Sequence, residues 1–495
     1  MPDATIIPFQ VPLPQVLPTI EGNVDYRQLR DQLLRMDALL VSSGLEQRLL
    51  EKDLARWLGA RPSVSAKAQQ RHQFHCRRAL RCNIARRLLG EDYRGFAARL
   101  ADSPLLQYFC GISHVLSIQV PSKTTLQRYD GWWPQSEIRQ VVYELVGRGA
   151  TAPQTLAWSE PVDLESAFLD TTCLSAHIHY PVDWVLLRDA TRTLIKAVQL
   201  IRGQGLKHRM EEPQTFLTGI NRLCIQMTHA SRKTDTQRQR KKTLRQMDRL
   251  VGTVRNHARR YRDLLQQQWP QTDWTQAQAQ QVLRRMDGVM AQLPQARRQA
   301  RQRILRGQPV ADEDKLLSLY EPDLQVIVRH KAGTPVEFGN TLLLAENPQG
   351  LILDWELFKG RAPADSALLP WSVGRLQEAY GPHLGAVGAD RGFDSHSNQI
   401  GLAQEGIYNA VCPRSVPQLR QRLGSWKFKR LQRRRAQIEG RVSIIKNVFL
   451  SGRLRCKGFA HRERTVTWTV LVHNLWVLAR RQRRPQALRT QAQAA

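Results

Sequence analysis

Between residues 24 and 150 apolar side chains recur at three- and four-residue intervals. Leu29, Leu33, Leu34, Leu39 and Leu40 form one set, and Leu45, Leu49, Leu50, Leu54, Trp57 and Leu58 a second. A third runs through Leu80, Ile84, Leu88, Leu89 and Phe96. This spacing predicts amphipathic helices. Asp102-Ser103-Pro104 reads as a helix start, and Ser122 is placed to cap a short helix that leaves Lys123, Gln127 and Arg128 exposed.

The period then changes. Residues 163–180 alternate through Leu164, Phe168, Leu174, Ala176 and Ile178 until Pro181, which predicts strand. Strand patterning returns at 324–328. A hairpin is expected from 341–345 and 351–357 about the turn-rich 346–350. A helix over 364–380 leads to a strand that ends at Asp390, followed by a short helix from Ser395, a strand at 408–412 and long C-terminal helices. Between the two strand regions lies a helical insertion. Its heptad Leu244, Met247, Val251, Val254, Ala258, Tyr261 and Leu265 keeps a 3,4 spacing, and apolar spacing resumes after 269–274 at Leu283, Met286, Met290 and Leu293. An antiparallel coiled-coil hairpin is expected there.

These patterns divide the chain into an extended arm (1–23), a helical domain (24–150), a first part of an α/β core (163–180), the insertion (181–317), the remainder of the core (318–480) and a basic tail (481–495). The 495 residues carry 74 Lys+Arg against 43 Asp+Glu, a net charge of +31, and that excess makes nucleic acid the expected partner. The helical module with Lys123 and Arg128 then suits docking into a DNA groove, with a plain bundle as the competing reading. No apolar run is long enough to span a membrane, and the N-terminus lacks the pattern of a secretory signal. Seven scattered cysteines fit a reducing cytoplasm. His72, His75, Cys76 and Cys82 are metal-ligand types without paired spacing, and packed side chains are the expected reading.

Three acids stand in settings suited to metal-bound carboxylates. Asp170 ends the apolar run 166–169, Asp390 ends the run 385–389, and Glu439 lies in the basic helix-patterned stretch 433–449. Two divalent cations held by such carboxylates activate a nucleophile and stabilise the leaving oxygen of a phosphodiester. Mg²⁺, with Mn²⁺ as a substitute, suits an all-oxygen donor set. In this assignment Asp170 bridges both ions, Asp390 binds one and Glu439 the other. Asp394 competes with Asp390, and Asp163, Glu165 and Asp183 compete with Asp170. Arg435, Glu439 and Lys446 lie at i−4, i and i+7 of this helix and project to one side, placing cations for phosphate beside the metal carboxylate. Arg441 in the same stretch is a further candidate for DNA contact.

Over residues 40–480 these blocks resemble a DDE-type transposase of a bacterial insertion sequence. The first-Asp block is 169–194, the central hairpin block 326–344 with Glu337-Phe338-Gly339, and the second-Asp block 388–395. Arg435, Glu439 and Lys446 are similar to a tyrosine–arginine–glutamate–lysine pattern, with Gln432 at the tyrosine position. The resemblance implies a ribonuclease H-like core with Asp170, Asp390 and Glu439 as the catalytic triad. It also implies Arg435 and Lys446 on the DNA backbone, and an oligomer, dimer or higher, that recognises terminal inverted repeats and joins transposon ends to target DNA. A cytoplasmic, nucleoid-associated bacterial enzyme is expected. The alternatives are a catalytically silent DNA-binding derivative and another ribonuclease H-like nuclease.

Overall fold

The computed structural model describes residues 20–481, apart from 62, 113–117, 159, 232–235 and 332–333. The arm expected at 1–23 thus lies almost wholly, and the tail from 482 onward, outside the described residues. The chain is mostly helical, with one mixed sheet built largely by its C-terminal region.

Seven helices come first: α1 (Val24–Ser42), α2 (Leu45–Gly59), α3 (Ala66–Leu88), α4 (Tyr93–Asp102), α5 (Pro104–Cys110), α6 (Lys123–Asp130) and α7 (Gln135–Thr151). Side-chain caps start several of them. Ser103 and Ser122 accept the backbone N–H groups of Leu106 and Thr125, at 3.3 and 3.2 Å. The leucines read from the sequence are buried, but they do not close a core by themselves. The C-terminal helix α17 (Phe459–Arg481) packs against α1, α3 and α7, and Trp133, Trp468 and Leu471 join the helical module to the sheet in one continuous core. His72 Nε2 donates to the Asp53 carboxylate at 2.7 Å and its ring stacks on Trp57, while Cys76 and Cys82 are buried. Burial pushes both thiols up from their ordinary value.

The strands are β1 (Ser166–Ser175), β2 (Gln325–Lys331), β3 (Thr334–Glu346), β4 (Ile352–Leu357), β5 (Ala386–Gly388) and β6 (Tyr408–Asn409). They run in the order β2-β3-β1-β5-β6, with β4 also on β3. β1 is antiparallel to β3 and parallel to β5, which is parallel to β6. Gly339 answers a close approach: a Cβ there would lie 2.0 Å from the Leu174 carbonyl oxygen on the neighbouring strand. The expected strand at 408–412 shortens to two residues. Beyond it Asn409 turns its side chain onto the Val411 N–H, and backbone bonds to Val387 and Ala389 carry the chain past the edge of β5.

The insertion is a bundle of four helices: α8 (Asp183–Gly203), α9 (Pro213–Ser231), α10 (Gln237–Gln268) and α11 (Gln276–Ala300). Every heptad position from Leu244 to Leu265 is buried. They meet α8 and α9 as well as α11, so the expected two-helix hairpin is half of a larger unit with its own core. The reason is that α8 carries its own apolar stripe, including Leu187, Leu194 and Ile201, which needs cover. After β4 come α12 (Asp365–Tyr380), α13 (His396–Gln404), α14 (Val416–Arg422), α15 (Trp426–Arg435), α16 (Ile438–Ile444) and then α17. No helix of the described residues is long and apolar enough to cross a membrane.

Candidate active site

The parallel pairing of β1 with β5 aligns Phe168 with Gly388. Asp170 stands two residues further along β1 and Asp390 two residues beyond Gly388, just past the end of β5, so the two acids lie at the same level. β1 continues to Ser175, so Asp170 sits in mid-strand and not at its end as the apolar run implied. What ends there is its neighbour: β5 stops at Gly388, and the gap opened beside Asp170 is where the two acids meet. Phe168 shares Asp170's side of the sheet and packs with Ala410, Leu431 and Ile438. Leu431 belongs to α15 and Ile438 to α16, which hangs the junction of these helices, with Arg435 and Glu439, over the acids.

Arg435 occupies the centre. Its Nη2 lies 3.7 Å from Asp390 Oδ2 and its Nη1 3.9 Å from Glu439 Oε1. The guanidinium is largely buried, and its Nε has no hydrogen-bond partner. Glu439 is mostly exposed, with 73 % of its side chain accessible, against 41 % for Asp390. One oxygen of each aspartate is committed to backbone. Asp170 Oδ1 accepts from the Thr171 N–H and Asp390 Oδ1 from the Gly392 N–H, both at 2.8 Å. Burial pushes Asp170 up to about 6, and the charges of Asp390 and Glu439 push the same way, while Arg435 opposes them. Asp170 therefore senses both of the other carboxylates. Among the described residues no three His, Cys, Asp or Glu side chains converge closely enough to grip a metal ion as they stand. Arg435 supplies the neutralising charge between two of them.

The stretch 433–449 is not one helix. α15 ends at Arg435, Ala436 and Gln437 form a turn closed by the Gln437 N–H on the Arg434 carbonyl at 3.1 Å, and α16 follows. Ile445–Phe449 then widens into a π-turn carrying Lys446. The i+7 relation that put Lys446 beside Glu439 assumed an unbroken α-helix, and each irregularity changes the angular phase. Lys446 is half-buried on that turn. The cause lies in the anchors. Gln432 donates to the Ala389 carbonyl at 3.1 Å and to the Ala410 carbonyl, tying α15 to the ends of β5 and β6. Arg434 and Arg441, on either side of the break, both pair with the buried Glu346, at 2.7 and 3.0 Å. Arg441 also donates to His473 Nε2 at 3.2 Å, so it faces the sheet and α17 and is not brought to the carboxylates. Burial and the Arg441 charge hold His473 down at about 3.

The competing acids are used elsewhere. Asp394 is buried and accepts from the Arg414 N–H and from Gln399, both at 2.8 Å, while Ser395 caps α13. Asp183 pairs with Arg303 at 3.0 Å and accepts from Gln299. Asp163 accepts from the Glu165 and Ser166 N–H groups. Lys123 and Arg128 are exposed on α6, remote in sequence from the triad.

One acid escaped sequence reasoning. Asp365, the first residue of α12, accepts from Thr171 Oγ1 at 3.0 Å. A Cβ on Gly392 would lie 2.6 Å from Asp365 Oδ2 and 3.0 Å from Asp390 Oδ1, so the two carboxylates flank the same glycine. Asp365 thus links the residue after Asp170 to the turn after Asp390. The paired appearance of a first-turn Asp and a glycine two residues after Asp390 was the available signal.

No curated protein and no solved structure matches the chain. Residues 338–475 match the family model of the transposase DDE domain, a span that includes Asp390, Glu439 and the β3–β4 hairpin and leaves Asp170 upstream. That match makes residues 338–475 similar to the DDE domain of transposases.

Proposed function

We propose that this protein is the transposase of a bacterial insertion sequence, which binds the terminal inverted repeats and carries out metal-dependent strand cleavage and strand transfer. The observation that carries this reading is the register of β1 on β5, which sets Asp170 beside Asp390 under the α15–α16 junction with Glu439. The strand order supports a ribonuclease H-like core: a central β1 with antiparallel β3 on one side, which pairs in turn with β2 and β4, and parallel β5 and β6 on the other. The net charge of +31 supports double-stranded DNA as substrate.

The donor set fits a divalent cation. Three carboxylates offer hard oxygen ligands, and the partly exposed Glu439 and Asp390 leave an entry path. Asp170, Asp390 and Glu439 would hold two Mg²⁺ ions, or Mn²⁺ in their place, which supply Lewis acidity to a phosphodiester and lower the pKa of bound water. Arg435 holds the acids' charge in the free protein. Its two long ion pairs leave donors for a backbone phosphate, with Lys446 as a second cation on the same segment. Asp365 accepts from Thr171 and so helps fix the backbone next to Asp170. The product 3′-hydroxyl, held at the same carboxylates, serves as the nucleophile for target joining.

Cleavage of DNA bearing the element's end, in Mg²⁺, compares wild type with Asp170→Asn, Asp390→Asn and Glu439→Gln. Each variant is expected to bind and not to cut. A wild type that binds and never cuts sinks the enzymatic reading, and a variant that still cuts removes that carboxylate from the site.

A further inference from the structure

Two basic hollows meet along the segment Leu454–Lys457. One is lined by α3, α4 and α6 and includes Lys123. The other is lined by the end of β1, by α8 and by α11, and includes Arg192, Lys196 and Arg285. Leu454, Arg455, Cys456 and Lys457 line both. This segment is pinned. Leu454 bridges Ala176 in parallel, its N–H donating to the Ser175 carbonyl at 2.9 Å, while the Gly458 N–H donates to Glu321, which pairs with the buried Arg462. Leu454 is buried, and the alternation leaves Arg455 and Lys457 exposed together. The Ser451 hydroxyl donates to the Gly90 carbonyl at 2.8 Å and ties the segment to the N-terminal helices.

The acids in these walls are already committed. Asp130 pairs with Arg86 and Arg87, Asp189 with Arg188, Glu321 with Arg462 and Glu91 with Arg99, and Asp92 caps α4. Among the described residues Lys123, Arg192, Lys196, Arg285 and Lys457 form no ion pair, and Arg455 acts on Asp92 only at a distance. A concave surface with neutralised acids and unpaired cations from three parts of the chain attracts a polyanion. Its centre lies six residues along β1 from Asp170, roughly 20 Å at about 3.3 Å per residue. That is within one turn of B-DNA, about 34 Å.

We propose that these joined hollows form a trough for the phosphate backbone of duplex DNA flanking the cleaved bond. The trough runs from α6 across Arg455 and Lys457 to α8 and α11. The proposal rests on DNA being the substrate, and adds the helical insertion as a DNA-holding wall.

The test is duplex binding by the full chain in EDTA, followed by fluorescence anisotropy across a salt series, with Lys123→Gln, Arg192→Gln and Lys457→Gln alone and combined. Each is expected to lower the slope of log affinity against log salt by about 0.9 for every phosphate that no longer meets a cation. Arg245→Gln and Arg249→Gln, exposed on α10 outside the trough, are expected to leave it unchanged. Thermal midpoints equal to wild type confirm folding. Slopes unaffected by the trough substitutions, or lowered equally by the α10 controls, would overturn the trough whatever the protein does to DNA. An effect on single strands alone would overturn it as a duplex site. A wild type that binds no duplex overturns both readings, and a wild type that shows the expected slopes but never cuts in Mg²⁺ overturns only the enzymatic reading.

Discussion

Arg435 stands 3.7 Å from Asp390, close enough to balance its charge and too far to satisfy its hydrogen bonds. Replacing the guanidinium leaves three carboxylates without that balance. Arg435→Gln is expected to lower the stability of the metal-free protein at pH 8 by on the order of 1 kcal/mol, the scale of such partly exposed pairs. Mn²⁺ is expected to raise the thermal midpoint more in the variant than in wild type. Equal metal-induced shifts in the two proteins would contradict the balancing role.

Asp170, raised to about 6 from its ordinary 3.8, makes a pH-dependent prediction with a definite sign. Its folded form holds a proton more tightly than its unfolded form, so its contribution favours folding below pH 3.8 and is lost as the pH rises through about 6. Asp170→Asn is therefore expected to be more stable than wild type above pH 6, by about 1.4 kcal/mol for each unit of that elevation, and to match it near pH 4. Metal affinity of the wild type is expected to fall as the pH drops through the same region, because ligands bind deprotonated. Chemical denaturation of both proteins across pH, without metal, measures the first effect. A variant no more stable at pH 8 than wild type would remove the strain.

Asp365→Ala is expected to reduce metal-dependent cleavage by about 10–100-fold, the usual cost of losing a residue that orients a metal ligand. Binding in EDTA is expected to be unchanged. Cleavage at the wild-type rate would confine Asp365 to the first turn of α12 and its bond to Thr171.

Gln432 is the donor for two carbonyls at the strand ends next to Asp390. Gln432→Ala strands these acceptors and is expected to cost about 1–3 kcal/mol. Cleavage is expected to fall further than stability alone explains, since the distance between α15 and β5 is set there. Urea unfolding and single-turnover cleavage, each compared with wild type, separate the two effects.

That Asp170 and Asp390 stand near each other is foreshadowed by two apolar runs that each stop at an acid, a local signal that needs no knowledge of the fold. Glu439 was legible through its basic helical surroundings. The break after Arg435 was not, because Ala436 and Gln437 are acceptable helix residues, and the turn answers to anchors on β5, β6 and Glu346 that lie 22 to 95 residues away. Arg441 looked like a phosphate contact for the same reason: its partner Glu346 is distant in the chain. Asp365 resembled any acid favoured at a helix start by the helix dipole. In the insertion each apolar stripe could be read, but which stripes face one another could not, and a hairpin and a bundle of four share the same pattern.

The core that α17 shares with α1, α3, α7 and β4 has a consequence for how such an element changes over time. A DNA-reading unit with its own core can be exchanged between proteins by recombination at a linker. Here, cutting between residues 151 and 166 would expose Trp133, Trp158 and Trp468 together. On the proposed reading, specificity for new ends would then accumulate by substitutions on the surface that these helices and the sheet share.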